Sequence, residues 1–161
     1  MPDSVPDLDR LMILSIRPRY VESILNGTKS VELRRTRPNV EVGQPIAIYS
    51  TSPVASIVAV ARVAEVSIGS PTAVWDSARD SAAVTREEFR HYFFGCSTAV
   101  AIHLDQVEVL EDTVTLGHMR KQMAFQPPQT WHFVDERRLA RLLGAHPSAT
   151  KLRRLLEASS T

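Results

Sequence analysis

The sequence predicts an α+β chain in which mixed and antiparallel strands build the body, helices lie at its periphery and a helical hairpin closes the C-terminal end. Three patterns predict it. The apolar period switches from 3.6 to 2 around Asn26-Gly27, residues 55–66 are apolar on both parities until Arg62, and leucines recur at helical spacing in residues 136–143 and 148–157.

Taken in order, residues 11–16 read as a strand. Pro18 suits a first helical turn, where its missing N–H costs nothing, and Tyr20, Val21, Ile24 and Leu25 share one face of a helix over 19–26. Asn26-Gly27 stops that helix, because glycine most readily takes the left-handed conformation just past a helix end. Val31 and Leu33 then alternate with Ser30, Glu32 and Arg34, which makes 30–34 a strand with its apolar pair on the core side. Glu32 and Arg34 stand side by side on the other face. Lys29, an odd number of positions from Glu32, starts opposite them unless the turn at Gly27-Thr28 rotates it back.

The Val42-Gly43-Gln44 turn introduces a strand over 45–50, and 55–66 reads as a long, buried central strand. Ser70 caps a short helix over 70–80 with Pro71 at its first position. Thr85-Arg86-Glu87-Glu88 matches a capping box, so 86–94 is a helix, stopped by Gly95. A strand over 97–109, a short helix around 118–123, the Pro127-Pro128 break and a last strand over 131–134 follow. Gly144 and Pro147 separate the two terminal helices. The expected organisation is a mobile tail over 1–10, one domain over 11–134, and a helical extension over 135–161 packed on that domain.

Composition agrees with a single core. A chain of 161 residues with 43% hydrophobic content is of ordinary domain size. It has no uncharged apolar run of the ~18 residues a membrane helix needs, and its acidic, proline-bearing start is unlike a secretory leader, so a cytoplasmic protein is expected. The lone Cys96 excludes an intrachain disulfide and reads as a half-buried thiol. Neither His91 nor His103 has a second ligand at metal spacing, and no cofactor is expected. Trp75 and Trp131 read as packing residues.

The net charge of +1 hides an uneven distribution. Residues 17–37 carry Arg17, Arg19, Lys29, Arg34, Arg35 and Arg37 against Glu22 and Glu32, whereas 65–112 is acidic. A focused basic patch suits a phosphate backbone, while a globally neutral chain argues against coating long duplex DNA. The C-terminal helices add Arg137, Arg138, Arg141, Lys151, Arg153 and Arg154, either as solvated faces of a packed hairpin or as a second basic surface that extends a nucleic-acid footprint or joins a homodimer.

The chemistry concentrates in Gly27-Thr28-Lys29-Ser30-Val31-Glu32-Leu33-Arg34-Arg35. A carboxylate beside cations accepts hydrogen bonds from an exocyclic amine such as cytosine's, arginine forks match phosphate oxygens, and lysine adds a point charge. Tyr49, Ser50, Thr51 and Ser52 end an apolar strand and offer a stacking ring and hydroxyls to the same cleft.

Gly27-x-Lys29-x-x-Glu32-x-Arg34, preceded by Ile16-Arg17-Pro18 and a helix ending Ile24-Leu25-Asn26, resembles the signature of the ASCH domain, a member of the PUA-like superfamily. The resemblance runs through Gly43, Ile46-Ala47-Ile48-Tyr49-Ser50 and Ala99-Val100-Ala101-Ile102, covering residues 11–133. It implies a PUA-like β-barrel with flanking helices that recognises RNA or modified nucleosides. The expected binding set is Arg17, Lys29, Glu32, Arg34, Arg35, Tyr49, Ser50, Thr51 and Ser52, with single-stranded RNA or a modified nucleoside or nucleotide as partner.

Two other classes stay open. In a hydrolase, Lys29 and Glu32 are the catalytic pair, as base and proton shuttle. Family members resembling amidohydrolases for N4-acetylcytidine carry a threonine nucleophile three residues after the lysine, where this chain has Glu32, and Thr28 and Ser30 stand at the wrong spacing. Other relatives are linked to single-strand RNA cleavage, for which Lys29, Tyr49 and His132 are the available groups. The third class is a transcription-related adaptor, whose partner binding would survive loss of Lys29 and Glu32.

Overall fold

The structure, a computed structural model, describes residues 8–159. Residues 1–7 of the expected tail lie outside them. The chain runs β1 (Leu11–Ile16), α1 (Pro18–Leu25), β2 (Val31–Arg34), β3 (Pro45–Ser50), β4 (Ser56–Gly69), α2 (Pro71–Ala78), α3 (Arg86–Tyr92), β5 (Ala99–Thr115), α4 (Leu116–Gln122), β6 (Trp131–Val134), α5 (Glu136–Leu143) and α6 (Ala149–Ser159). The α+β class expected from the sequence is the one observed.

The strands form one six-stranded sheet in the order β2-β5-β4-β3-β1-β6. Among the described residues, only β1 and β3 pair in parallel, with Met12 opposite Ile46 and Ile16 opposite Ser50. The other pairs are antiparallel. Register shifts interrupt the β4–β5 ladder between Ile57 and Ala59, Val60 and Arg62, and Val63 and Glu65. Each such irregularity bends its strand and adds right-handed twist, which curls the sheet into a barrel-like form. The curl brings edge strand β2 close to β1: the Arg34 Nη2 donates to the Ser15 carbonyl at 2.9 Å.

Strand parity divides the interior. Met12, Leu14, Ile46 and Ile48 point into the curl with Val100 and Ile102, and α1 adds Val21 and Ile24 to this cluster. Leu11, Ile13, Ala47 and Tyr49 point outward into a second cluster with Met119 of α4 and Leu139, Leu142, Leu143, Leu152 and Leu156 of α5 and α6. Val31, Leu33, Ala99 and Ala101 face a third, closed by Val74 and Ala78 of α2 and Phe89 and Phe93 of α3. Burying a leucine side chain stabilises by about 1.5–3 kcal/mol, so the terminal hairpin shares the core of the sheet.

Helix boundaries follow local chemistry. Ser70 Oγ accepts from the Ala73 N–H at 3.1 Å, and Thr85 with Glu88 completes the capping box that the sequence predicts. β5 runs to Thr115, past the expected end at 109, because Ser56 and Ile57 of β4 pair with Thr115 and Val114. Residues 105–109 and 111–113 are exposed, so no apolar alternation marks the extension.

His132 on β6 lies beside Ile13, edge-on to Phe125 with ring centroids 5.6 Å apart, and its Nε2 is buried without a hydrogen-bond partner among the described residues. Burial, and secondarily the Arg138 charge, push this imidazole below its ordinary value of 6.5. The folded state then binds fewer protons than the unfolded chain just below pH 6.5, so stability falls as pH drops from there toward the folded pKa. In urea melts at about pH 7.5 and about pH 5, His132→Leu is expected to lose less stability on acidification than wild type. Equal losses in the two proteins would contradict a neutral, buried His132.

Candidate nucleic-acid interface

The turn after α1 solves the parity problem of Lys29. Gly27 takes φ +86°, a conformation other residues rarely adopt, and Asn26 Oδ1 accepts from the Thr28 N–H at 3.0 Å. The Lys29 N–H then donates to the Ser23 carbonyl, and the N–H groups of Ser30 and Val31 both donate to the carbonyl of Ser81. These bonds turn the Lys29 side chain to the Glu32 side, where its Nζ donates to the Ala82 carbonyl at 2.6 Å and stands 3.5 Å from Glu32 Oε1.

Glu32 is the centre of the arrangement. Its Oε2 accepts from Arg34 Nη2 at 2.5 Å, and the same Nη2 donates to Ser15. All three ionisable residues are buried: Lys29 is 3% exposed, Glu32 7% and Arg34 9%. Desolvation pushes the Lys29 ammonium below its ordinary value, the neighbouring Glu32 carboxylate opposes that shift, and Arg34 adds to it. Arg34 Nε is buried with no hydrogen-bond partner among the described residues.

Above this floor opens a cleft of about 660 Å³, within the roughly 300–1,000 Å³ usual for ligand sites. Lys29, Glu32 and Arg34 line it together with Arg17, Arg19, Arg35 and Thr51. Tyr20 and Tyr92 form aromatic walls, each with an arginine over its ring: Arg19 at 4.5 Å from the Tyr20 centroid and Arg35 at 4.1 Å from that of Tyr92. Arg35 Nε also donates to the Tyr92 carbonyl at 2.9 Å. Arg17 is exposed and makes no ion pair with Glu22 or Glu41.

Of the expected site residues, Arg17, Lys29, Glu32, Arg34, Arg35 and Thr51 meet in the cleft, whereas Tyr49, Ser50 and Ser52 do not line it. Tyr49 pairs with Ser15 and Ile57 and shares the strand face of Ala47, so its ring joins the outer core. Burial raises its phenol pKa. Ser50 is buried between Ile16 and Ser56, and Ser52 is exposed on the turn beyond. His132 lies on that outer face too, opposite Ile13, so Lys29, Tyr49 and His132 do not converge.

Tyr20, Glu88 and Tyr92 also line the cleft, and none of them is marked as a site residue by the sequence. Tyr20 reads as part of an apolar helix face. Glu88 reads as a capping partner, and it does accept from the Thr85 N–H through Oε1, yet its Oε2 pairs with Arg19 and accepts from the Tyr20 hydroxyl at 3.2 Å. Tyr92 carries no sequence signal of its own. The basic set on the terminal helices is partly engaged, with Lys151 2.7 Å from Glu108 and Arg153 3.5 Å from Glu136.

Comparison with known proteins agrees with the motif. A family described as a domain of unknown function, DUF365, matches residues 12–125. An ASCH domain-containing ribonuclease of Zymomonas mobilis is 31% identical over 130 residues, spanning 79% of this chain and 86% of the relative. This chain belongs to the ASCH domain family. The ASCH fold extends through most of its length: the crystal structure of ASCH from Zymomonas mobilis matches with a TM-score of 0.77 at 25% identity, over 85% of this chain and 96% of that one. A serine-to-alanine variant of the same bacterial protein matches with a TM-score of 0.77 at 27% identity, over 86% and 96%.

Removing one member of a buried ion pair leaves the other charge uncompensated, at a cost of about 3–5 kcal/mol. Glu32→Gln keeps the shape of the ASCH floor but strands two cations, so urea unfolding is expected to show a loss of about 3 kcal/mol with an unchanged denaturant slope. A change below about 0.5 kcal/mol, the size usual for an unremarkable surface site, would mean that the three charges do not depend on one another.

Proposed function

We propose that this ASCH domain binds single-stranded RNA, or a modified nucleoside of the kind RNA contains, in the cleft above Lys29, Glu32 and Arg34. The observation that carries the reading is the Glu32 carboxylate, fixed between two buried cations at the floor of a cleft with arginines at its mouth. Its Oε1 contacts Lys29 only at 3.5 Å and keeps capacity to accept a further hydrogen bond. An exocyclic amine on a base edge is the complementary donor. Arg17, Arg19 and Arg35 at the mouth match the phosphates of the same strand, and a base entering beside Tyr20 or Tyr92 exchanges an arginine for itself on the ring. The ribonuclease name of the Zymomonas relative favours RNA over other polyanions.

A second reading, hydrolysis within the same cleft, is favoured by one observation. Burial lowers the pKa of Lys29, so its amine loses its proton at lower pH than an exposed lysine's and serves better as a base.

Titration of short single-stranded RNA at two salt concentrations, with product masses read from the same mixtures, tests both. Arg17→Ala and Arg35→Ala remove exposed side chains, so stability is expected to hold while RNA affinity falls severalfold, with the salt slope reduced by about 0.7 for each phosphate no longer held. Affinity and slope equal to wild type in both variants would remove the cleft from consideration. Products whose rate rises with pH, and which vanish in Lys29→Ala, would move the assignment from reader to enzyme.

A further inference from the structure

A second groove, of about 460 Å³, lies between α2 and α3 on the far side of α3 from the cleft. Its walls are Trp75, Phe89 and Phe93, with Arg86 and Arg90 on the exposed side of α3. Trp75 is half-buried and tilted against Phe89 at 5.0 Å between ring centroids, and Phe89 meets Phe93 at 4.6 Å. The Arg86 guanidinium stands 5.8 Å from the Trp75 centroid. Arg90 has no ion-pair partner among the described residues, and no carboxylate lines the groove. Phe89 lines both cavities, so one helix is their common wall.

We infer that this groove is a second nucleotide subsite, which takes the next part of a single strand whose first base occupies the cleft. The inference rests on the reading of the cleft as an RNA site. Its own grounds are chemical. A partly open indole backed by tilted, buried phenyl rings offers a face on which a base stacks without regard to sequence, and arginines one helical turn apart hold successive phosphates. The stretch 65–112 is acidic overall, yet its carboxylates at Asp76, Glu87 and Glu88 stay out of the groove lining while Arg86 and Arg90 enter it. The separation suits one continuous ligand: a helix with its side chains is about 10–12 Å across, a span that an extended strand crosses in a few nucleotides. A second consequence is that the site reads length. A single nucleoside fills the cleft alone, whereas a longer strand engages both cavities.

The test compares a dinucleotide with a decanucleotide of single-stranded RNA on wild type, Arg86→Ala/Arg90→Ala and Trp75→Phe, at several salt concentrations. Both arginines are exposed, so the double variant is expected to fold normally, with a thermal midpoint near that of wild type. The decanucleotide should bind wild type about 10-fold more tightly and quench tryptophan fluorescence, a quench that Trp75→Phe abolishes. In the double variant this advantage should disappear while dinucleotide affinity holds, and the decanucleotide salt slope should fall by about 1.4, the value for two phosphates on a single strand. A double variant that keeps both the length advantage and the salt slope overturns the second subsite and leaves the cleft standing. Failure of wild type to bind either oligonucleotide overturns the cleft reading, and the subsite with it.

Discussion

The contact on which the rest depends is the one between Glu32 and the two cations beside it. Buried charges are costly: an ion leaving water loses hydration that only close, well-oriented partners restore. Here Glu32 Oε2 meets Arg34 at 2.5 Å and Oε1 faces Lys29 at 3.5 Å, while the cations direct further donors to the Ser15 and Ala82 carbonyls. Each carbonyl belongs to a different part of the molecule. Ser15 lies in β1, near the opposite edge of the sheet, and Ala82 lies between α2 and α3. The charge cluster therefore ties edge strand β2 to β1, which no backbone ladder pairs with it, and reinforces the backbone bonds that Ser30 and Val31 make to Ser81 in the segment between α2 and α3. The floor of the cleft and a closure of the curled sheet are the same set of bonds.

Strand parity then decides what each side chain does. In β2, Val31 and Leu33 face the α2 and α3 helices while Glu32 and Arg34 face the curl, so a single four-residue strand serves a core and the cleft floor at once. In β3 the same rule works against the site, since it sends Tyr49 into the outer core with Ala47. The helices follow from this division. α4, α5 and α6 cover the outer face of β1 and β3, and α2 with α3 covers β2 and β5, which leaves the mouth of the cleft bordered by α1, α3 and the loop around Gln129 and Thr130.

Much of this was legible in the sequence. β1, β3, β6 and α5 fall where apolar period, turn residues and breakers put them, because those signals are local. The motif was legible too: Lys29, Glu32 and Arg34 lie within one short segment, and a positive-φ glycine explains how the first of them joins the others. What was not legible is whatever depends on distant pairing. The end of β5 is set by β4, the side of the sheet on which Tyr49 lands is set by its register with Ser15 and Ile57, and Tyr92 comes to the cleft only through the packing of α3. Glu88 shows a subtler limit. A residue that fully satisfies one local pattern, the capping box, left no sign that its second oxygen holds α1.

A ligand that enters above the Glu32 cluster perturbs the residues around it first. The most direct measurement is nuclear magnetic resonance of isotopically labelled protein titrated with a short single-stranded RNA, following backbone amides and arginine Nε–H signals. Saturable shifts are expected at Lys29, Glu32, Arg34, Arg35 and Tyr92, with little change at Arg137, Arg141 and Arg154 on the terminal helices. Shifts confined to those helices, with the residues of the cleft unmoved, would contradict it.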